Sequence, residues 1–156
     1  MNETTTLSGE VTLTVVDAEG RKRHQSSHRN RVFSAGTQHV ASCLVGEINS
    51  QTHWIEIGSG QQPDSGEDLD QLHELLRSNP VSSPEANGSE LTFTAVFNAG
   101  EPMEVAESGL RFKYSRIESE EEVLYNRAVI DPPVVLNSND RIRVQWKVFF
   151  DWIQLP

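Results

Sequence analysis

The sequence predicts a mainly β fold, an antiparallel β-sandwich or partly open barrel with one short α-helix around residues 35–45. Three observations lead there. Ile142, Val144, Trp146, Val148, Phe150 and Trp152 place six apolar side chains at every second position, the period of a strand with one buried face. Shorter runs repeat the pattern, with Leu91, Phe93, Ala95 and Phe97 on one face and then Leu110, Phe112 and Tyr114. The stretches between them are rich in Gly, Pro, Asp and Ser, which are turn formers.

In chain order, Val11, Leu13 and Val15 alternate with Thr12, Thr14 and Val16, and Asp17-Ala-Glu-Gly20 supplies a turn. The polar segment Arg21 to Phe33 then pairs as the second arm of a hairpin, with its charges in solvent. Residues 8–33 are thus expected as an N-terminal β-hairpin with a basic arm, and 34–156 as the sandwich core of a single domain spanning 1–156. For the helix, Ser34 is the expected cap, Val40, Ala41, Leu44 and Val45 the apolar stripe, and Gly46 the stop. Trp54 to Gly58 reads as a strand entering a long loop that begins Gly58-Ser-Gly-Gln-Gln-Pro-Asp-Ser-Gly66. Leu69, Leu72, Leu75 and Leu76 allow either a short helix or a leucine-anchored extended stretch, and Asn79 to Ser89 reads as loop. The run Glu118-Ser-Glu-Glu-Glu122 belongs at a solvated hairpin tip before the strand Val123 to Ile130. On the last strand Arg141, Arg143, Gln145, Lys147, Phe149 and Asp151 form the face opposite the core, open to solvent or to a partner subunit.

Charge restricts the function classes. With 13 basic against 23 acidic residues the net charge is −10, which opposes general binding to nucleic-acid phosphates. Arginine dominates the bases, since only Lys22, Lys113 and Lys147 are lysines, a balance expected in a salt-rich environment. No apolar run is long enough to span a bilayer as a helix, so no membrane insertion is expected. Met1-Asn-Glu-Thr-Thr-Thr lacks the basic flank and apolar stretch of a secretory signal, and assembly in the cytoplasm is the expectation.

A search for chemistry assigns no catalytic, cofactor or metal residue. Gly58-Ser-Gly60 follows a strand, but with neither a third glycine nor Lys-Ser/Thr it reads as a turn. His24 and His28 are far apart on a strand, and His39, His53 and His73 are isolated. Asp64, Glu67, Asp68 and Asp70 crowd one loop without the spacing of a calcium-binding EF-hand. The lone Cys43, in an apolar context, reads as a buried inert thiol, because a catalytic thiol needs a histidine beside it and none can be placed. Five of the 13 basic residues, Arg21, Lys22, Arg23, Arg29 and Arg31, cluster on the hairpin arm. With Arg141, Arg143, Lys147 and Phe149 of the last strand they are the candidate subunit-contact residues, suited to an acidic patch on a neighbour. A carbohydrate-binding module is the rival of another class; it would need exposed aromatics, with Trp54, Trp146, Trp152, Tyr114 and Tyr125 as candidates.

An ordered series of motifs resembles small structural proteins of tailed phages, of the tail, baseplate or fibre type. The series runs Asn30-Arg-Val32, Ile55-Glu-Ile-Gly-Ser-Gly60 with Pro63-Asp64, Leu72-His-Glu-Leu-Leu-Arg77 and Leu91-Thr-Phe-Thr-Ala-Val-Phe97. It continues with Glu107-Ser-Gly-Leu110, Leu124-Tyr-Asn-Arg127 and Val144-Gln-Trp-Lys-Val-Phe-Phe150. The likeness covers roughly residues 30 to 152, and the basic hairpin before it departs from the pattern. It implies a β-sandwich without catalytic residues, acting as a homo-oligomer with other virion proteins in the tail tip, baseplate or fibre. Capsid decoration, a turret or a spike is the nearest alternative, and a host-surface glycan or receptor a further partner.

Overall fold

The computed structural model describes residues 2–81 and 83–155. The elements follow in the order β1 Asn2–Val16, β2 Lys22–Arg31, α1 Ser34–Leu44, β3 Ser50–Gly58, β4 Leu75–Pro80, β5 Glu85–Asn87, β6 Glu90–Asn98, β7 Met103–Ser115, β8 Glu120–Leu136 and β9 Arg141–Leu155. They form two antiparallel sheets, a five-stranded one ordered β2-β1-β9-β6-β5 and a four-stranded one ordered β4-β3-β7-β8. With one helix at the side, this is the expected sandwich.

Alternation places the core. Val11, Leu13 and Val15 of β1, Phe93, Ala95 and Phe97 of β6, and Ile142, Val144, Trp146 and Val148 of β9 are buried on one face of the larger sheet. Ile55 and Ile57 of β3, Leu110 and Phe112 of β7 and Ala128 and Ile130 of β8 meet them from the other sheet. Burial of this set is the main stabilising term, at roughly 25 cal/mol per Å² of apolar surface. Trp146 sits at its centre, and its indole Nε1–H donates to Ser108 Oγ at 3.1 Å. That hydroxyl donates in turn to the Glu56 carbonyl at 2.9 Å, so both buried polar groups are satisfied. The side chain of Trp152 lies outside the described residues.

The hairpin of β1 and β2 forms as the turn chemistry predicts, with Gly20 at φ +81° closing it. It is no appendage, however: β1 pairs with β9 along its whole length, from Asn2↔Leu155 to Val16↔Arg141, and is an interior strand of the sheet.

Three local expectations are corrected, and a fourth that allowed two forms is decided. The helix cap is Phe33, with no side-chain bond of its own, and Ser34 is already helical. The carboxylate at this helix start comes instead from a distant loop, where Asp68 Oδ2 accepts the Ala35 N–H at 3.3 Å. The helix also turns a different side inward. Gly36 and His39 are its buried residues, whereas Leu44 and Val45 are 83% and 70% exposed. The cause is the close approach of α1 to β8, since a Cβ on Gly36 would lie 2.9 Å from the Tyr125 carbonyl oxygen. The leucine-rich segment is extended: Leu72 is buried with Phe33 and Leu124, whereas Leu75 and Leu76 are exposed at the start of β4. Residues 79–89, expected as loop, include the end of β4 and the short β5.

Candidate functional site

The long segment between β3 and β4 crosses the outer face of the smaller sheet, and buried charges hold it there. Glu107 on β7 is fully buried and takes the Arg127 Nε–H at 2.6 Å. The same carboxylate accepts backbone N–H groups from Gly60 (3.2 Å), His73 (3.3 Å) and Glu74 (2.8 Å). Arg127 donates a further bond to the Gln62 carbonyl at 2.8 Å. Beside this pair, Arg111 bonds Glu56 at 3.0 Å and the Asp70 carbonyl at 3.0 Å. Burial raises the Glu56 carboxyl above its ordinary range, and the Arg111 guanidinium partly opposes that shift. Each of these charges has a partner within the chain, so the network holds the fold and presents no free acid or base.

The acidic loop of Asp64, Glu67, Asp68 and Asp70 is held by an arginine. Arg31 lies 3.3 Å from Asp68 and 3.8 Å from Asp64, and also donates to the Glu67 carbonyl at 2.8 Å. Among the described residues no group of three or more His, Cys, Asp or Glu side chains is arranged to hold a metal ion.

The basic arm is likewise paired at home. Arg21 contacts Asp17 at 2.9 Å and Glu19 at 3.3 Å, Arg29 contacts Glu10 at 3.2 Å, and Arg23 contacts the buried Asp140. Lys22 bonds the Gln25 side chain at 3.0 Å. On β9, Lys147 meets Glu90 at 2.9 Å, while Phe149 is half-buried on the outer face. Arg141 and Arg143 are exposed and have no carboxylate partner among the described residues. A neighbouring acidic patch would therefore compete with carboxylates of this chain at Arg21, Arg23, Arg29, Arg31 and Lys147, but not at Lys22, Arg141 or Arg143.

The aromatic candidates for sugar stacking are largely spent. Trp146 and Tyr125 are buried in the core. Trp54 is half-buried under the Lys113 ammonium, whose Nζ lies 4.1 Å from the ring centroid. Tyr114 packs against His39 with ring centroids 4.4 Å apart.

One surface was not legible beforehand. Between α1 and the open end of the larger sheet runs a groove of about 530 Å³, floored by Phe93 and Phe112 and walled by Val40, Leu44, Leu91 and Phe150. Its lining includes no Asp, Glu, Lys or Arg. Its polar groups are His39, Cys43, Gln51, His53 and Thr37. Here the structure supplies the histidine that could not be placed beside the cysteine, because His39 and Cys43 lie one helical turn apart with Sγ 3.5 Å from Nε2. Gln51 Oε1 accepts from His39 Nε2 at 2.9 Å. Burial lowers the His39 imidazole and raises the Cys43 thiol, so both are neutral at physiological pH. A nucleophilic thiolate needs the opposite shifts.

No helix among the described residues is long and apolar enough to cross a membrane. Comparison with protein-family models, with curated proteins and with solved structures found no match.

Proposed function

We propose that this chain is a structural subunit of a tailed-virus particle, in the tail tip, baseplate or fibre assembly, working by geometry and not by catalysis. The observation that carries the assembly reading is the uncharged apolar groove on a chain whose net charge is −10. Uncharged apolar surface on an acidic protein is suited to packing against another protein. The order of the motifs between residues 30 and 152 supports a tailed-virus particle as the setting. On this reading the chain is made in the host cytoplasm and ends in the virion. Its partners are copies of itself and other virion proteins, with a host-surface receptor as a further partner at the tail end.

Antibody-gold labelling of purified particles, viewed by electron microscopy, tests the proposal. Label at the tail end is the expected result. Label over the capsid would reassign the protein to decoration, turret or spike. Absence of label on intact and on disrupted particles would overturn the virion reading.

A further inference from the structure

The two ends of the chain run on together past the sandwich. β2 pairs with β1 only from Ser8 onward, and β6 reaches β9 only as far as Phe149, with one more bond from the Phe150 N–H to the Ser89 carbonyl at 2.9 Å. The β1–β9 pairing nevertheless continues for six further pairs, from Leu7↔Phe150 to Asn2↔Leu155. The result is a two-stranded ribbon roughly 20 Å long at the usual rise per residue. Among the described residues no strand pairs with it on either flank. Isolated two-stranded ribbons are marginal in water, and unpaired edges are templates for another strand. The first pair of this ribbon, Leu7 and Phe150, also lines the apolar groove, so the unpaired edge and the uncovered apolar face are one continuous surface.

We propose that the outer edge of β9, from Asp151 to Leu155, pairs antiparallel with the same edge of a second copy of this chain. The proposal deepens the assembly reading above by naming the partner and the surface. Three observations favour a second copy. Like edges pair antiparallel about a twofold axis, which closes the contact after one partner. The hydrogen-bonding phase fits: the Phe150 N–H points to the outer side, so by alternation the Trp152 and Gln154 amides point there too. A register centred on Ile153 sets Trp152 of each copy opposite Gln154 of the other, and each such pair exchanges two hydrogen bonds. Charge permits the approach at this end, because the groove lining is uncharged and the one acidic residue of the edge, Asp151, falls opposite Leu155 of the other copy and not opposite its own counterpart. In that register the tip of one ribbon lies beside Phe150 at the mouth of the other copy's groove, close to the exposed Leu44.

The test is sedimentation of the full chain over a range of concentrations, with amide exchange followed at Trp152 and Gln154. The expected result is a dimer, with exchange at both amides slowing as concentration rises. Gln154→Pro removes one outward N–H and leaves the ladder to β1 intact; it should shift the chain to monomer with an unchanged far-ultraviolet spectrum. Leu44→Lys, on an exposed position at a helix end where a cation is favourable, should weaken the dimer at least tenfold. Should Gln154→Pro perturb the fold, Leu44→Lys and the exchange data decide. A wild type that stays monomeric, or a dimer that both variants leave intact, would overturn the inference. Monomer in solution together with gold label on particles would sink this contact and spare the virion reading. A dimer from a chain that labels no particle would do the reverse.

Discussion

Arg127 Nε and Glu107 Oε2 stand 2.6 Å apart with both side chains closed off from solvent, and the long β3–β4 segment is hung on this pair. The carboxylate ties down Gly60, His73 and Glu74, and the guanidinium ties down Gln62. A buried pair of this kind need not stabilise the fold relative to apolar residues, but removing one member leaves an unpaired buried charge. Arg127→Met should therefore destabilise the protein by about 3–5 kcal/mol in urea unfolding and expose residues 61–73 to limited proteolysis. The double variant Glu107→Gln with Arg127→Met should be less damaged than the sum of the two single ones. Simple additivity would show that the two groups act independently.

Asp68 reaches two elements at once, accepting the Ala35 N–H at the start of α1 and pairing with Arg31 at the end of β2. The helix has no side-chain cap of its own and no acidic residue in its first turn, so this carboxylate is what meets its N-terminal amides. Asp68→Ala should cost about 1 kcal/mol, the usual worth of a lost cap, and speed exchange at the Ala35 amide. Unchanged exchange there would mean that water serves the amide as well as Asp68 does.

These two contacts mark the boundary of what sequence reasoning reaches. The sandwich, the hairpin and the helix position followed from period and turn chemistry, because those signals are local. Glu56, Glu107, Arg111 and Arg127 sit at strand positions where alternation alone reads them as solvent-facing. They are buried because a segment from elsewhere in the chain folds over them, and nothing in their neighbourhood announces that. In hindsight one signal was present, in the glycines of Ile55-Glu-Ile-Gly-Ser-Gly60. A Cβ at Gly58 or Gly60 would lie 2.6 Å from Glu107 Oε1, so the pair of glycines makes room for a carboxylate and has nothing to do with phosphate. Asn30 is similar: it reads as an ordinary polar strand residue, yet its Nδ2 donates to the Arg127 carbonyl at 2.7 Å and joins β2 to the edge of the other sheet. The apolar groove has another origin. Helical spacing turns Leu44 and Val45 toward the core, and the close contact of Gly36 with Tyr125 rotates them out.

That contact is itself testable. A methyl group on Gly36 would meet Tyr125 Cδ2 at 2.6 Å and the Tyr125 backbone oxygen at 2.9 Å, and backbone cannot swing aside as a side chain can. Helix propensity favours alanine over glycine by about 1 kcal/mol, so an exposed site would gain from the change. Here overpacking should win, and Gly36→Ala should lose about 1–3 kcal/mol in chemical denaturation. A stabilised variant would mean that α1 stands further from β8 than these distances state.

Acid should loosen the groove through its two histidines. His39 packs against Phe112 and Tyr114 at 5.1 and 4.4 Å between ring centroids, and His53 against Phe93 and Phe112 at 5.0 and 4.7 Å. Burial holds both imidazoles below their ordinary value of 6.5; the Gln51 bond opposes this for His39, and the nearby Arg116 charge adds to it. Below that pH the unfolded chain takes up protons that the folded one refuses, so stability is complete above it and falls as the pH drops toward the folded values. Glu56 acts in the opposite sense: its folded value is raised above 4.5, so its protonation restores some stability as the pH falls from that folded value toward 4.5. The thermal midpoint should therefore decline between about pH 7 and pH 5.5, and His53→Phe, which keeps the aromatic packing, should flatten that decline. An equal decline in wild type and variant would show that the His53 imidazole is not among its causes.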